Sequence, residues 1–434
     1  MYVEPVRRLN SRDFRTLVLS ALGGTLEFYD FIIFVFFASV MGQLFFPADI
    51  PEWLRQVQTF GIFASGYLAR PLGGLVMAHF GDSRGRKKIF SFSILLMALP
   101  TLMIGLLPVY TAIGITTPLL LLLLRVLQGA AIGGEVPGAW VFVAEHVPGR
   151  RLGLACGILT AGLSAGILLG SIVATLINSS MTTETILAYG WRLPFLLGGI
   201  FGLIALFLRR YLQETPVFRE MQAQKALSAQ LPIKTVIKEY RREVGISMLL
   251  TWLLSGCIVV LLLMVPVLLQ KLHGLSVAVT LQANILAILC GIVGYLIAGV
   301  LIDRFGAGIV LLIGCIFMAV ASWIFFLIAG SNLTYLFISY GVAGLSVGTI
   351  AVVPYVMLMM FPAQVRFTGL SFSYNLAYAV FGGMTPILIS LMVTITPLAP
   401  AWYLLFLALN GILIVYWLVG KTRHQVLITT VNTQ

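Results

Sequence analysis

Long apolar runs separated by short polar segments make up most of this chain. Each run has about 20 residues or more, which as an α-helix is long enough to cross the ~30 Å hydrocarbon layer of a bilayer. Twelve such runs can be counted, at residues 17–40, 58–79, 89–109, 117–143, 153–178, 190–208, 246–270, 279–301, 309–329, 333–360, 367–390 and 401–420. The pattern predicts an all-α membrane protein with twelve transmembrane helices.

The polar segments between these runs alternate in charge. Most of the 27 Lys and Arg residues fall in every second segment, including the N-terminal segment, the loop at 84–88 and the long segment at 209–243. Because basic residues accumulate on the cytoplasmic side of membrane proteins, this alternation predicts that both termini are cytoplasmic. The N-terminal segment lacks a signal-peptide cleavage site, so the first run is expected to remain as a helix.

The long polar segment divides the runs into six and six. We therefore expect an N-terminal bundle at residues 1–208, a cytoplasmic loop at 209–245 with an amphipathic part, and a C-terminal bundle at 246–434. The two halves echo each other, since AHFGDSRG follows the second run and GVLIDRFG follows the eighth. Such a repeat predicts a pseudo-symmetric transporter whose binding site lies near the midplane between the halves.

Composition supports the membrane assignment and excludes other classes. The chain is 60% hydrophobic and only 10% charged, against about 25% charged in soluble domains. The net charge of +12 is not gathered into a nucleic-acid-binding motif. The four cysteines lie in apolar runs without disulfide or metal-ligand spacing. The sequence contains no nucleophile–base set or phosphate loop, so it does not predict an enzyme, a metal or a cofactor.

Several short motifs occur in a fixed order along the chain. They are LEFYDF at 26–31, ARPLGG at 69–74, GDSRGRKK at 81–88, RVLQG at 125–129, GGE at 133–135, GWRLPF at 190–195, QETPVF at 213–218 and VRFTGLSFSYN at 365–375. Together they resemble the major facilitator superfamily, and within it the metabolite:proton symporter branch. The resemblance departs at Ala78 and Ser83 in the first repeated loop, and at Met359, where relatives usually carry Glu.

Five ionisable residues lie inside the predicted membrane region, all of them in the N-terminal half: Glu27, Asp30, Arg70, Arg125 and Glu135. Intramembrane charge is costly and usually marks a substrate or ion pathway, although permanent ion pairs or helix–helix contacts are the alternative. Three acids and two bases become neutral when one proton binds, as a proton-coupled carrier requires. We expect Asp30 to be the proton site, with Glu27 second and Glu135 third, and Glu27 and Asp30 to titrate as a coupled pair.

Arg125 is the strongest candidate for binding an anionic substrate, because a guanidinium accepts a carboxylate through two parallel hydrogen bonds. Arg70 is second, although its Arg-Pro setting also fits a structural kink. Aromatic and amide side chains of the C-terminal half would complete the site; the family pattern supports Tyr374 and Asn375, while Tyr355 and Trp252 also fit ordinary packing. The candidate substrate-binding residues are Arg125, Gln128, Arg70, Tyr374, Asn375, Tyr355 and Trp252.

Charged residues in the segments predicted to be cytoplasmic form a candidate gate that closes this side by ion pairs and helix capping. Topogenic charge is the alternative explanation for them. The candidates are Asp82, Arg86, Glu145, Arg150, Glu214, Asp303 and Arg304.

The resemblance implies a secondary active transporter in a bacterial cytoplasmic membrane, driven by the proton gradient and without a cofactor. We expect import of a small organic acid by proton symport with alternating access. The alternatives are uptake of proline or betaine, import of a citrate-type siderophore, proton-coupled efflux, or a non-transporting receptor. Only a 14-residue tail follows the last run, without a coiled coil, and this weighs against the osmosensing type that carries one. The expected partners are substrate, protons and lipids; we expect no nucleic acid, and a monomer.

Overall fold

The computed structural model of the protein describes the backbone of residues 10–84, 86–208 and 232–431. Each of the twelve apolar runs lies on helix within these residues. The long helices are α1 (Ser11–Phe36), α2 (Glu52–Arg84), α3 (Arg86–Leu106), α4 (Thr116–Ala144), α5 (Leu152–Ser180), α6 (Arg192–Leu208), α7 (Arg241–His273), α8 (Val277–Phe305), α9 (Ala307–Ile328), α10 (Leu333–Met360), α11 (Arg366–Met392) and α12 (Ala399–Val431).

By length and composition alone, nine helices of the described residues are able to cross a membrane. The number rises to ten if Thr183–Gly190 and Arg192–Leu208, which meet at a bend of 45°, form one broken span. The all-helical membrane class is therefore confirmed, and the count of twelve spans stays a prediction.

Helix packing repeats between the two halves of the chain. In the first half α1 packs on α5, α2 on α4 and α3 on α6, and in the second half α7 packs on α11, α8 on α10 and α9 on α12. The halves meet where α2 lies against α11 and where α5 lies against α8. The predicted loop at 209–245 falls largely outside the described residues. Its described part contains a short helix, Pro232–Glu239, and the first residues of α7, and Val236 of the short helix is buried in a cluster with Phe361.

Small residues bring the paired helices into backbone contact. A Cβ on Gly73 of α2 would collide with Ala130 of α4, and one on Gly129 of α4 would collide with Gly66 of α2. The equivalent pair repeats this contact, since a Cβ on Gly344 of α10 would collide with the backbone of α8. The glycines of the fourth run thus allow the close helix approach that small residues give membrane helices.

Two of the long helices contain a wider π-helical turn. These segments are Ile258–Met264 in α7 and Tyr378–Gly382 in α11. Pro71 adds a local irregularity to α2, because proline has no N–H to donate to the carbonyl one turn earlier. Wider π-helical turns are frequent at functional sites, and both Pro71 and the turn Tyr378–Gly382 fall beside the residues described next.

The outer surface of the bundle is apolar. On α9, for example, Ile309, Ile313, Ile316, Val320 and Ile324 follow one another at helical spacing, and all are exposed. Soluble monomers rarely expose a continuous stripe of this kind, whereas a lipid-facing helix requires one. The protein is accordingly a multi-pass integral membrane protein.

Candidate substrate and proton site

Arg125 lies fully buried inside the N-terminal half, on α4. Its Nη1 donates to the side-chain oxygen of Gln128 at 2.8 Å and to the carbonyl oxygen of Phe31 at 3.3 Å. The guanidinium carbon is 4.6 Å from the ring centroids of Phe31 and Phe34, and 5.3 Å from that of Phe63. The Nε and Nη2 groups have no hydrogen-bond partner. Two N–H-bearing nitrogens of a buried cation therefore remain available to an anion.

A chain of polar side chains leads from Arg125 to Asp30. The Gln128 amide nitrogen donates to the hydroxyl of Thr101 on α3 at 2.7 Å, and Thr101 in turn donates to the Met97 carbonyl at 2.9 Å. Asp30 of α1 lies beside Thr101 and faces α6, where a Cβ on Gly198 would collide with its carboxylate. The sequence placed Asp30 and Arg125 in the membrane; Thr101, which stands between them, was not among the predicted residues.

Asp30 is 1% exposed, and the hydroxyl of Thr101 is the polar group beside its carboxylate, although not in full hydrogen-bond geometry. In the part of the chain that the structure describes, it forms no ion pair with Arg70 or Arg125. For Asp30, the alternative of a permanent ion pair with either arginine is thus not realised. A buried carboxylate that no cation neutralises is costly in its charged form.

Arg70 lies at the junction of the two halves, on α2. Its guanidinium carbon is 4.2 Å from the ring centroid of Tyr378, 5.3 Å from that of Tyr374 and 5.5 Å from that of Tyr67. Its Nε reaches the side-chain oxygen of Asn375 at 3.4 Å, and its Nη2 has no partner. The structure therefore brings the predicted residues Arg70, Tyr374 and Asn375 together across the interface.

Asn375 locks this contact from the side of α11. Its amide nitrogen donates to the carbonyl oxygen of Gly133 on α4 at 2.6 Å and to that of Ser371 on its own helix at 2.8 Å. Gly74 of α2 fits directly against it, since a Cβ there would collide with the amide. The close fit holds α2, α4 and α11 together at the depth of Arg70.

Aromatic rings connect the surroundings of the two arginines. Tyr67 packs edge-on against Phe63 at 5.0 Å and lies nearly parallel to Tyr378 at 5.8 Å, while Trp140 packs edge-on against Tyr374 at 5.1 Å. Tyr67 and Tyr378 were not predicted. Their spacing carried a weak signal, because Tyr67 precedes Arg70 by three residues and Tyr378 follows Tyr374 by four, so each pair shares one helix face.

The other predicted proton residues lie elsewhere. Glu135 is buried on α4 and accepts a hydrogen bond from Ser93 on α3, inside the N-terminal half. The backbone of Glu27 belongs to α1, but its side chain lies outside the described residues. Neither observation tests the order Asp30, Glu27, Glu135 that the sequence indicated.

Two predicted substrate-binding residues are not brought to the arginines. Trp252 of α7 stacks on Phe381 at 4.2 Å and donates its indole N–H to the hydroxyl of Tyr403 at 2.8 Å, within the C-terminal half. Tyr355 of α10 lies near Asp303, at the end of the bundle. Both positions fit the packing alternative, and in this conformation the two residues do not line the same site as Arg70.

One end of the bundle carries Arg150, Arg151, Arg304 and Arg366, and we call it the basic end. There the Asp303 carboxylate accepts hydrogen bonds from the backbone N–H groups of Gly153, at 2.7 Å, and Leu154, at 3.0 Å. The buried Glu145 of the N-terminal half forms an ion pair with Arg366 of α11, in which Oε1 and Nη1 are 4.0 Å apart. The halves are thus joined at this end.

The remaining predicted gate residues are less informative. Arg150 and Arg304 are exposed at the basic end. The side chains of Asp82 and Arg86, and all of Glu214, lie outside the described residues. Among the residues that are described, no three His, Cys, Asp or Glu side chains are grouped as a metal site.

A model of the Major Facilitator Superfamily matches residues 21–386. The chain belongs to the Major Facilitator Superfamily. It is 33% identical over 410 residues to a putative proline/betaine transporter of Staphylococcus aureus, covering 93% of this chain and 88% of the relative. It is 32% identical over 419 residues to the proline/betaine transporter of Escherichia coli, covering 92% and 82% respectively.

Solved structures agree on the fold. The proton:xylose symporter XylE bound to 6-bromo-6-deoxy-D-glucose superposes with a TM-score of 0.78 at 17% identity, covering 94% of this chain and 96% of that one. The resemblance to the major facilitator superfamily, and within it to the metabolite:proton symporter branch, is confirmed by the family model and by these relatives. The family consists of transporters, so the prediction of a transporter rather than an enzyme is confirmed as well.

Proposed function

We propose that this protein imports a zwitterionic osmolyte of the betaine or proline type together with a proton, across a bacterial cytoplasmic membrane. The observation that carries the substrate class is the setting of Arg70, a buried guanidinium with a free Nη2 at the junction of the halves. Such a group needs a carboxylate, which every betaine and amino acid supplies. The relatives named for proline and betaine transport favour a zwitterion over the simple organic acid that the sequence first indicated.

Asp30 supports the coupling to protons. It is buried without an ion-pair partner among the described residues, and only Thr101 and Gln128 separate it from Arg125. In its neutral form Asp30 is compatible with this surrounding; once it loses the proton, the charge needs compensation from Arg125 or from water. Release of the proton would therefore draw on Arg125, the second buried guanidinium beside the one proposed to bind the substrate.

The contacts at the basic end support alternating access. Asp303 and Glu145 tie the halves together there, and α2, α4 and α11 are closely packed at the depth of Arg70. We infer that the basic end faces the cytoplasm, as the distribution of Lys and Arg indicates, and that it is closed in this conformation. Release of the substrate then requires these contacts to break as the halves rock.

The test is uptake of radiolabelled glycine betaine and L-proline into proteoliposomes with an imposed pH gradient. Uptake that is driven by an inwardly directed proton gradient, and abolished by a protonophore, is the expected result. Reversing the gradient separates import from proton-coupled efflux. A chain that accumulates succinate or citrate but neither osmolyte would instead be an organic-acid carrier, the second candidate, which two buried arginines also favour.

A further inference from the structure

Arg70 differs from Arg125 in the origin of the rings around it. The rings on Arg125 all come from helices of the N-terminal half, whereas Arg70 is enclosed by Tyr67 of α2 and by two tyrosines of α11. The cage around Arg70 is therefore complete only while α2 and α11 are in contact.

The cation in this cage is weakly held by polar contacts. Apart from the rings, its polar contacts are with neutral groups, the amide oxygen of Asn375 at 3.4 Å and the hydroxyl of Tyr374, and its Nη2 has no partner. No carboxylate among the described residues pairs with it. Aromatic faces arranged around a cation are the arrangement by which proteins recognise quaternary ammonium groups. A ligand ammonium can thus replace the guanidinium without separating an ion pair.

We propose that Tyr67, Tyr374 and Tyr378 form the subsite for the ammonium head group of the substrate, and that Arg70 occupies this subsite until the substrate displaces it. The displaced guanidinium then pairs with the carboxylate of the same substrate molecule. The inference rests on the proposed function, because it takes a zwitterion as the substrate. Because the three tyrosines come from α2 and α11, replacement of Arg70 by the substrate ammonium would couple substrate binding to the contact between these two helices.

The exchange predicts opposite effects on two ligands when Arg70 is replaced. In Arg70→Gln the carboxylate partner is lost and the cage is vacated. Glycine betaine, which needs both, should bind at least about tenfold more weakly, whereas choline, which has the ammonium but no carboxylate, should bind several-fold more tightly. Isothermal calorimetry on the detergent-purified variant measures both. If Arg70 had a purely structural role, Arg70→Gln would weaken the binding of both ligands, and that result would overturn the proposal.

A ligand pair tests the cage without relying on that variant. The compound 3,3-dimethylbutanoate has the shape and carboxylate of glycine betaine but no positive charge. We expect it to bind the unmodified protein about tenfold more weakly than glycine betaine. Tyr378→Leu should remove this difference and Tyr378→Phe should keep it; Tyr416→Leu, a change at an exposed tyrosine on α12, is the matched control.

The outcomes separate the two proposals. Equal binding of glycine betaine and 3,3-dimethylbutanoate to a protein that transports glycine betaine would overturn the cage while leaving the function in place. Absence of proton-driven uptake of either osmolyte, with organic acids accumulated instead, would overturn the proposed function itself.

Discussion

Asp303 of the C-terminal half caps a helix of the N-terminal half, accepting the backbone N–H of Gly153 at 2.7 Å. An N-cap carboxylate is worth about 0.5–2 kcal/mol, and the charge also interacts favourably with the helix dipole. Because this cap crosses the interface, its stabilisation belongs to the closed basic end alone, and it is lost when the halves separate there.

Asp303→Ala should therefore shift the population towards an open basic end by about two- to thirtyfold. Spin labels on G149C and F305C, in a background with Cys290 replaced by Ser, report the distance between the halves by pulsed electron spin resonance. Both label sites are exposed. The population at longer distance should grow in Asp303→Ala but not in Asp49→Ala, where the changed carboxylate lies on an exposed loop. An unchanged distribution would remove Asp303 from the gate.

Replacing Asp30 should uncouple transport from the proton gradient. In Asp30→Asn the position is permanently neutral, so uptake should no longer respond to an imposed pH gradient and should vary little between pH 5.5 and 8. Exchange of substrate across the membrane at equal concentrations should continue, because it needs no net proton movement. Asp49→Asn is the control. If gradient-driven uptake and its pH profile survive in Asp30→Asn, Asp30 is not the proton site, and Glu135 and Glu27 are the next positions to change.

Thr101→Val should weaken the link between Gln128 and Asp30 without a large change of volume. It leaves the Gln128 amide without its acceptor at 2.7 Å, which costs about 1–3 kcal/mol in a buried site. We expect a lower thermal unfolding temperature and an altered pH profile of uptake. Thr160→Val is the matched control, because Thr160 is also buried and donates only within its own helix, to Cys156 at 2.8 Å. Equal effects of the two changes would show that the hydrogen bond between Gln128 and Thr101 contributes neither to stability nor to the pH profile of uptake.

The glycine contacts between α2 and α4 allow a stability test. Gly73→Ala places a Cβ against the backbone of Ala130 and should destabilise the protein by about 1–3 kcal/mol or more. Gly61→Ala, on the same helix, meets no atom within 4 Å and should be neutral or stabilising by up to ~1 kcal/mol. Thermal unfolding of the purified proteins, followed by tryptophan fluorescence, measures both. A Gly73→Ala protein as stable as Gly61→Ala would contradict the packing of α2 on α4.

The sequence was most informative about order along the chain and least informative about helix rotation. Apolar runs located every long helix, and charge located Asp30, Arg70 and Arg125 within them. In a membrane bundle, however, a helix can be apolar both where it faces lipid and where it faces another helix, so periodicity does not show which side is inside. For this reason Trp252 was a candidate but packs inside the C-terminal half, while Tyr67 and Tyr378 were missed.

The family motifs identified inward-facing residues that periodicity could not identify, but only where a motif contained the residue. Tyr374 and Asn375 belong to such a motif, and they meet Arg70 across the interface. Thr101 belongs to none, and its role arises from the packing of α3 against α4, which no local pattern in the sequence encodes.

Among the described residues, the buried charged side chains all belong to the N-terminal half. In the described C-terminal half, charged residues such as Asp303 and Arg366 lie at helix ends. We therefore expect a membrane potential to act chiefly on the N-terminal half. A zwitterion carried with one proton adds one positive charge. A potential of 100 mV, negative inside, would then contribute about 2.3 kcal/mol to each inward transport cycle, in addition to the pH gradient.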